Sequence, residues 1–141
     1  MSVASDWVVA CQTAIVDRLT NKVSLIHVIE QVQMPKFPGV LPAFHVVVQW
    51  HNTTEMAVTT RLRIAIEDPA SSSETSLLEE EVSFVGRVGH RSICIVHAMS
   101  VARAGSYRIV AQVQSEVGGA WTNGAGYPFV VVATVPPAVE A

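Results

Sequence analysis

In the stretch VTTRLRIAIED, Val58 to Asp68, apolar and polar residues alternate with a period of two. Val58, Thr60, Leu62, Ile64 and Ile66 share one face, while Thr59, Arg61, Arg63 and Glu67 share the other. That period belongs to an extended strand with one buried and one wet face. Similar runs recur from Trp7 to Thr134, separated by turn residues, and no long helical pattern interrupts them. Strands of this kind must bury their apolar faces against a second layer. The expected fold is all-β: a two-sheet antiparallel sandwich of about 8–9 strands with little or no helix.

Composition narrows the class. A chain of 141 residues, half of them apolar and 15% charged, can build one core without metal or disulfides. A single domain over residues 1–135 is expected, with 136–141 as a flexible tail. The formal net charge is −3 and the basic residues are scattered, which argues against a nucleic-acid partner. No apolar run approaches the roughly 20 residues of a membrane helix, so no membrane span is expected. The opening MSVASDWVVACQTAIVDR has no basic leader, and Asp6 and Gln12 interrupt its apolar stretch. A cytoplasmic location follows as an expectation. Cys11 and Cys94 then read as reduced thiols packed as small hydrophobes. They fall on the first and sixth strands, and a bridge is open to them only if those strands meet.

The strands are expected at Trp7–Val16, Val23–Gln33, Ala43–His51, Val58–Asp68, Ser76–Val85, Ser92–Met99 and Ser106–Gln114, then briefly at Trp121 and finally at Tyr127–Thr134. Val23–Gln33 is mixed on both faces, which requires cover on both sides or a bulge that swaps them. Pro35, Pro38 and Pro42 around Gly39 make a stiff crossover between sheets, with Phe37, Val40 and Leu41 available to fill gaps. A turn centred near Ser72 would place Arg63 opposite Glu81 and Arg61 near Ser83. The run Glu79, Glu80, Glu81 is then a solvated strand face rather than a metal site. Glu80 is the misfit, because its parity points inward.

No catalytic, metal or cofactor constellation stands out. His45 and His51 share a strand face but lie six residues apart, about 20 Å at strand rise. No paired-cysteine or paired-histidine ligand spacing is present. Cys94 and His97 point to opposite faces of one strand, and no nucleophile elbow or phosphate loop occurs. Asn52-Thr53-Thr54 fits a glycosylation acceptor, to which a cytoplasmic chain would not be exposed. Binding is the better lead. Trp121, beside Gly118, Gly119, Asn123 and Gly124, can serve as a stacking platform together with Tyr127 and Asn123, or fold over the sandwich end as a plug. A second surface is the outward face of the third strand, His45, Val47, Gln49 and His51, joined by outward Val110, Val130 and Val132.

Two segments carry a resemblance. TNKVSLIHVIEQVQMPKFPGVLPAFHVVVQW, after an apolar opening strand with Cys11, resembles small uncharacterised bacterial proteins. Those open with a short strand, a turn of the form GKxxLxG and a proline-rich crossover; here His27 stands where that turn has its second glycine. AGSYRIVAQV, Ala104 to Val113, is similar to the Gly-x-Tyr strand opening of immunoglobulin-like and fibronectin-like sandwiches. The antibody Cys–Trp–Cys spacing is not met. The resemblance implies an immunoglobulin-like topology and no assigned activity. The leading expectation is a non-enzymatic module with a protein partner or a homo-oligomer; the alternative is a carbohydrate or small-ligand binding module.

Overall fold

The structure, a computed structural model, describes residues 2–134. The 136–141 tail lies outside the described residues. Eleven strands and no helix are present among the described residues: β1 (Val3–Val16), β2 (Val23–Val28), β3 (Gln31–Met34), β4 (Gly39–Val40), β5 (Phe44–Asn52), β6 (Val58–Asp68), β7 (Ser73–Phe84), β8 (Gly89–Val96), β9 (Ser100–Val101), β10 (Gly105–Gln114) and β11 (Thr122–Ala133). Two sheets stack, one in the order β2-β1-β5-β8 and the other in the order β3-β11-β10-β6-β7; β4 and β9 add a two-stranded ladder. The all-β sandwich expected from the alternation is therefore present. It is not wholly antiparallel, because β3 runs parallel to β11.

The core lies between the two inner faces. Val46, Val48 and Trp50 of β5 meet Leu62, Ile64 and Ile66 of β6 and Ile109, Ala111 and Val113 of β10 within one apolar cluster. These are the residues that the period of two places inward. Tyr107 stacks on Phe129 at 5.7 Å between ring centroids, and its hydroxyl donates to the Arg103 carbonyl at 2.7 Å. That bond ties the corner before β10 to the strand itself.

The expected second strand is two strands in different sheets. His27 holds a left-handed backbone, φ +55°, one residue before the pairing of β2 with β1 ends at Val28. The Ile29 amide still donates to Ala10 of the first sheet, whereas the Glu30 carbonyl accepts from Val130 of the second. The chain thus changes layers between adjacent residues, which explains why neither face of the segment is uniformly apolar. The conformation at His27 is one that glycine adopts freely, and the side chain is held by a 2.6 Å bond from Nδ1 to Gln12 Oε1. His27→Val is expected to lower stability by about 1–2 kcal/mol, while His27→Gly stays within about 1 kcal/mol of the parent. Urea unfolding of both variants checks the ordering; equal losses would refute a backbone origin.

The β6–β7 register differs from the expected one. Arg63 lies opposite Glu79 and Arg61 opposite Glu81, because the connection is Pro69–Ser72 and a bulge falls between Ile64 and Ala65. The offset is even, so both arginines stay on the wet face. Glu80 keeps its inward parity without a bulge of its own. Its Oε1 accepts from His90 Nε2 at 2.9 Å and from the Ser92 hydroxyl, which in turn accepts from Trp50 Nε1 at 2.9 Å. A carboxylate on edge strand β7 therefore ties the two layers together at that side of the sandwich. Among the crossover residues, Leu41 is core and Phe37 packs against it, but Val40 points to solvent.

Candidate functional site

Three surfaces compete, and each begins from a strand face. The first is the outer face of the four-stranded sheet. His45, Val47, Gln49 and His51 lie there, as their parity requires, but the side chains are engaged within the chain. His45 Nδ1 accepts from the Ala14 amide at 2.7 Å, where β1 has run past the end of β5. His51 Nδ1 sits 2.6 Å from Asp6 Oδ1, at the bulge of β1 between Ser5 and Trp7. Gln49 Nε2 donates to the Trp50 carbonyl at 3.2 Å.

Val47 is fully buried despite its outward parity. The β1–β2 hairpin is the cover. Its tip residue Asn21 accepts at its carbonyl from Arg91 Nη2 of β8 at 2.9 Å, although β5 lies between β1 and β8. The arm therefore crosses the outer face over β5. Val110, also outward by parity, is likewise buried, while Val130 is exposed. What stays open on the first sheet is Val28 and Ile95, which the register aligns across the sheet through the buried Cys11 and the half-buried His45. Ile95 is 54% exposed, and Val28, Ile93, Ile26 and Ile15 are also exposed. The sequence carried this signal in SICIV, where isoleucines alternate with the inward Ser92, Cys94 and Val96.

The second surface is the outer face of the five-stranded sheet. The Arg63 guanidinium lies 4.7 Å from the Trp121 ring centroid and donates from Nε to Gln112 Oε1 at 2.6 Å. It also pairs with Glu74. Gln112 Nε2 donates to Asn123 Oδ1 at 2.8 Å. Trp121 is half-buried and lies just before β11, in no strand of its own. Tyr127 is not part of this surface. It is partnered with inward Ile109 in the register, packs against the core, and donates its hydroxyl to the Ile29 carbonyl. The structure thus brings Trp121 and Asn123 together and places Tyr127 on the opposite side of the sheet, because a bulge between Val110 and Gln112 swaps the parity. Gly124 sits in that irregular stretch: a Cβ there would come within 2.3 Å of Ser5 Oγ, which accepts from the Ala125 amide at 2.7 Å and clasps β1 to β11.

The third is a cleft of about 370 Å³ between the open edges β2 and β3. Ala10, Leu41, Phe44 and Phe129 form its floor, and Gln12, His27, Gln31 and Gln33 supply its polar groups. Residue spacing does not mark it, since the cleft exists only because β2 and β3 belong to different layers. The mixed faces of Val23–Gln33 were its one trace.

The nucleophile candidates are interior. Burial raises the pKa of both Cys11 and Cys94, so their reactive thiolate forms are suppressed at neutral pH. Cys11 is aligned with His45 and Cys94 with Val46, successive residues of the intervening β5, so the thiols face opposite sides of the sheet and both are free. Burial is also the main cause raising the phenol of Tyr127, with the Glu30 carboxylate adding to it. Among the described residues no group of three His, Cys, Asp or Glu side chains is placed to hold a metal ion.

Comparison with solved structures finds the same fold inside much larger enzymes. The chain is similar to part of a β-D-glucoside glucohydrolase from Trichoderma reesei, with 11% identity and a TM-score of 0.54 over 92% of this chain and 19% of that one. A β-glucosidase from Erythrobacter marinus gives 11% identity and a TM-score of 0.53 over 93% and 15% of the two chains. A β-glucosidase from Listeria innocua gives 13% and 0.51 over 77% and 15%. The chain spans less than a fifth of the length of these enzymes, and at such identity the likeness is one of fold. No curated protein matches the chain in sequence. Residues 6–122, from β1 to the start of β11, match a family that is defined by sequence, and the chain belongs to that family of unknown function, DUF6941.

Proposed function

We propose that the protein is a non-catalytic interaction module that pairs with a second copy of itself through the outer face of the four-stranded sheet. The observation that carries this reading is the exposed apolar side chains at the two edges of that sheet, Ile26 and Val28 on β2 and Ile93 and Ile95 on β8. The charged groups of that face, Asp6 and Arg91, lie toward its other end with His51 and Gln49. A contact there would desolvate apolar area and no carboxylate or ammonium, and one patch meeting its own copy closes as a two-fold dimer. Light scattering and sedimentation equilibrium at micromolar concentration are expected to give twice 15.2 kDa. Ile95→Arg is expected to return the mass to that of one chain without loss of folding, since the side chain is already half in water. A single-chain mass for the parent protein across the micromolar range refutes the dimer.

The topology supports an immunoglobulin-like assignment within this reading. The orders β1-β5-β8 and β11-β10-β6-β7 correspond to A-B-E and G-F-C-C′, and the Tyr107 bond to Arg103 has the form of a tyrosine corner. The inert, buried thiols suit a reducing cytoplasm. Carbohydrate or small-ligand binding is the second reading, favoured by the half-buried Trp121 ring beside Arg63 and the Asn123 amide. Tryptophan emission is expected to change for the parent but not for Trp121→Phe when a bound glycan is titrated; a response that is the same in both removes this reading.

A further inference from the structure

We infer that the cleft between β2 and β3 is a binding site for an uncharged amphiphile, a short aliphatic or aromatic body carrying one alcohol or amide head. The volume of about 370 Å³ lies in the ordinary range of small-molecule sites, roughly 300–1,000 Å³. The floor is apolar: Ala10 from one sheet, Phe129 from the other, and Phe44 and Leu41 between them. All four are buried side chains of the core, so the cleft opens directly onto the interior rather than onto a loop.

The polar groups select the head. Gln12, Gln31 and Gln33 offer neutral amides, and His27 is already paired with Gln12 at 2.6 Å. Among the described residues, no lysine, arginine, aspartate or glutamate lines the cleft. Glu30 stands in the crossover between Ile29 and Gln31, both of which line it, and its charge is felt at the Tyr127 hydroxyl that bonds Ile29. A carboxylate head would therefore enter a site that has no cation to meet it and an acid alongside. A neutral head loses nothing by comparison, and amides satisfy it as donors or acceptors.

The cleft follows from the change of layer between β2 and β3. On the opposite side of the sandwich, Glu80, Ser92 and His90 bind the two layers. On this side, β2 and β3 are both edge strands, and the chain passes between their sheets in the single step from Ile29 to Glu30. Side chains from two layers line the gap, and the Tyr127 hydroxyl of β11 bonds the Ile29 carbonyl at its margin.

The test is a titration of the full chain with 1-octanol and, separately, with octanoate at neutral pH, followed by amide proton–nitrogen correlation spectra. Octanol is expected to give saturable shifts confined to the neighbourhood of Ala10, Val32 and Phe129, with at least about tenfold weaker binding of octanoate. Ala43 lines the cleft but is exposed, so Ala43→Trp can fill the space without disturbing the core. That variant is expected to keep a dispersed spectrum and to lose octanol binding by at least about tenfold. Shifts that do not saturate, shifts centred on Ile93 and Ile95, or octanoate binding equal to octanol would each overturn the inference. Because the readout maps to the cleft and not to mass, it stands or falls apart from the dimer.

Discussion

Val47→Asp is expected to cost about 3–5 kcal/mol, enough to unfold much of the protein at room temperature. By parity the side chain points away from the core, and alternation alone would place it in water. Its exposure is 0%. In the register it sits between Val9 of β1 and Ile93 of β8, and the β1–β2 arm passes over β5 to reach Arg91. A carboxylate there would be desolvated among apolar groups with no cation opposite it. Gln49→Asp, two residues on along the same face, is the control. Gln49 is only partly buried and its register neighbour is Arg91, so a change of less than about 1 kcal/mol is expected. Urea unfolding followed by far-ultraviolet circular dichroism measures both. Similar small losses at the two positions would mean that the arm does not cover this face.

A one-atom change at Asn52 is expected to cost about 3 kcal/mol. The side chain is 1% exposed and all its polar atoms are engaged. Nδ2 donates to the Met56 carbonyl at 2.8 Å and to the Gly86 carbonyl at 3.0 Å. Oδ1 accepts from the amide and hydroxyl of Thr54, each at 3.2 Å. One residue thus pins the loop after β5 and the turn between β7 and β8. Asn52→Asp keeps the acceptor and loses both donors, turning a carboxylate oxygen toward two carbonyls. The introduced carboxyl would have its pKa raised in the folded state, because only its protonated form can donate. The folded state then holds that proton more tightly than the unfolded chain. The deficit is therefore expected to shrink as pH falls from 7 toward the carboxylate range, roughly pH 4. A deficit that is constant with pH would show that the cost comes from packing and not from the lost donors. The same burial removes Asn52 from any glycosylation role in the folded state.

The reading of individual residues divides along a physical line. The inward sets on β6 and β10 were legible because a strand that buries one face must repeat every second residue. Arg61 and Arg63 were placed on the wet face for the same reason, and the register error of two left them there. Glu80 was recognised as an inward acid, but the alternation along β7 could not name His90 and Ser92 as its partners, since both come from the other sheet. The candidate site was legible in pieces. Trp121 and Asn123 share one side of the sheet, whereas Tyr127 is separated from them by a bulge that leaves no distinct mark in the spacing. His45 and His51 were visible as outward residues, yet their engagement with Ala14 and Asp6 depends on where β1 bends.

The sequence by itself determined that the chain pleats, which side chains each strand turns inward and that two layers enclose one core. These follow from local sterics and alternation, which act between near neighbours in the chain. Only the tertiary structure decided that the β1–β2 arm folds back over Val47, that β3 joins the second sheet in parallel, and that a cleft opens between β2 and β3. Those outcomes depend on which layer a strand enters and what crosses its outer side, and contacts between residues distant in sequence leave no periodic signature.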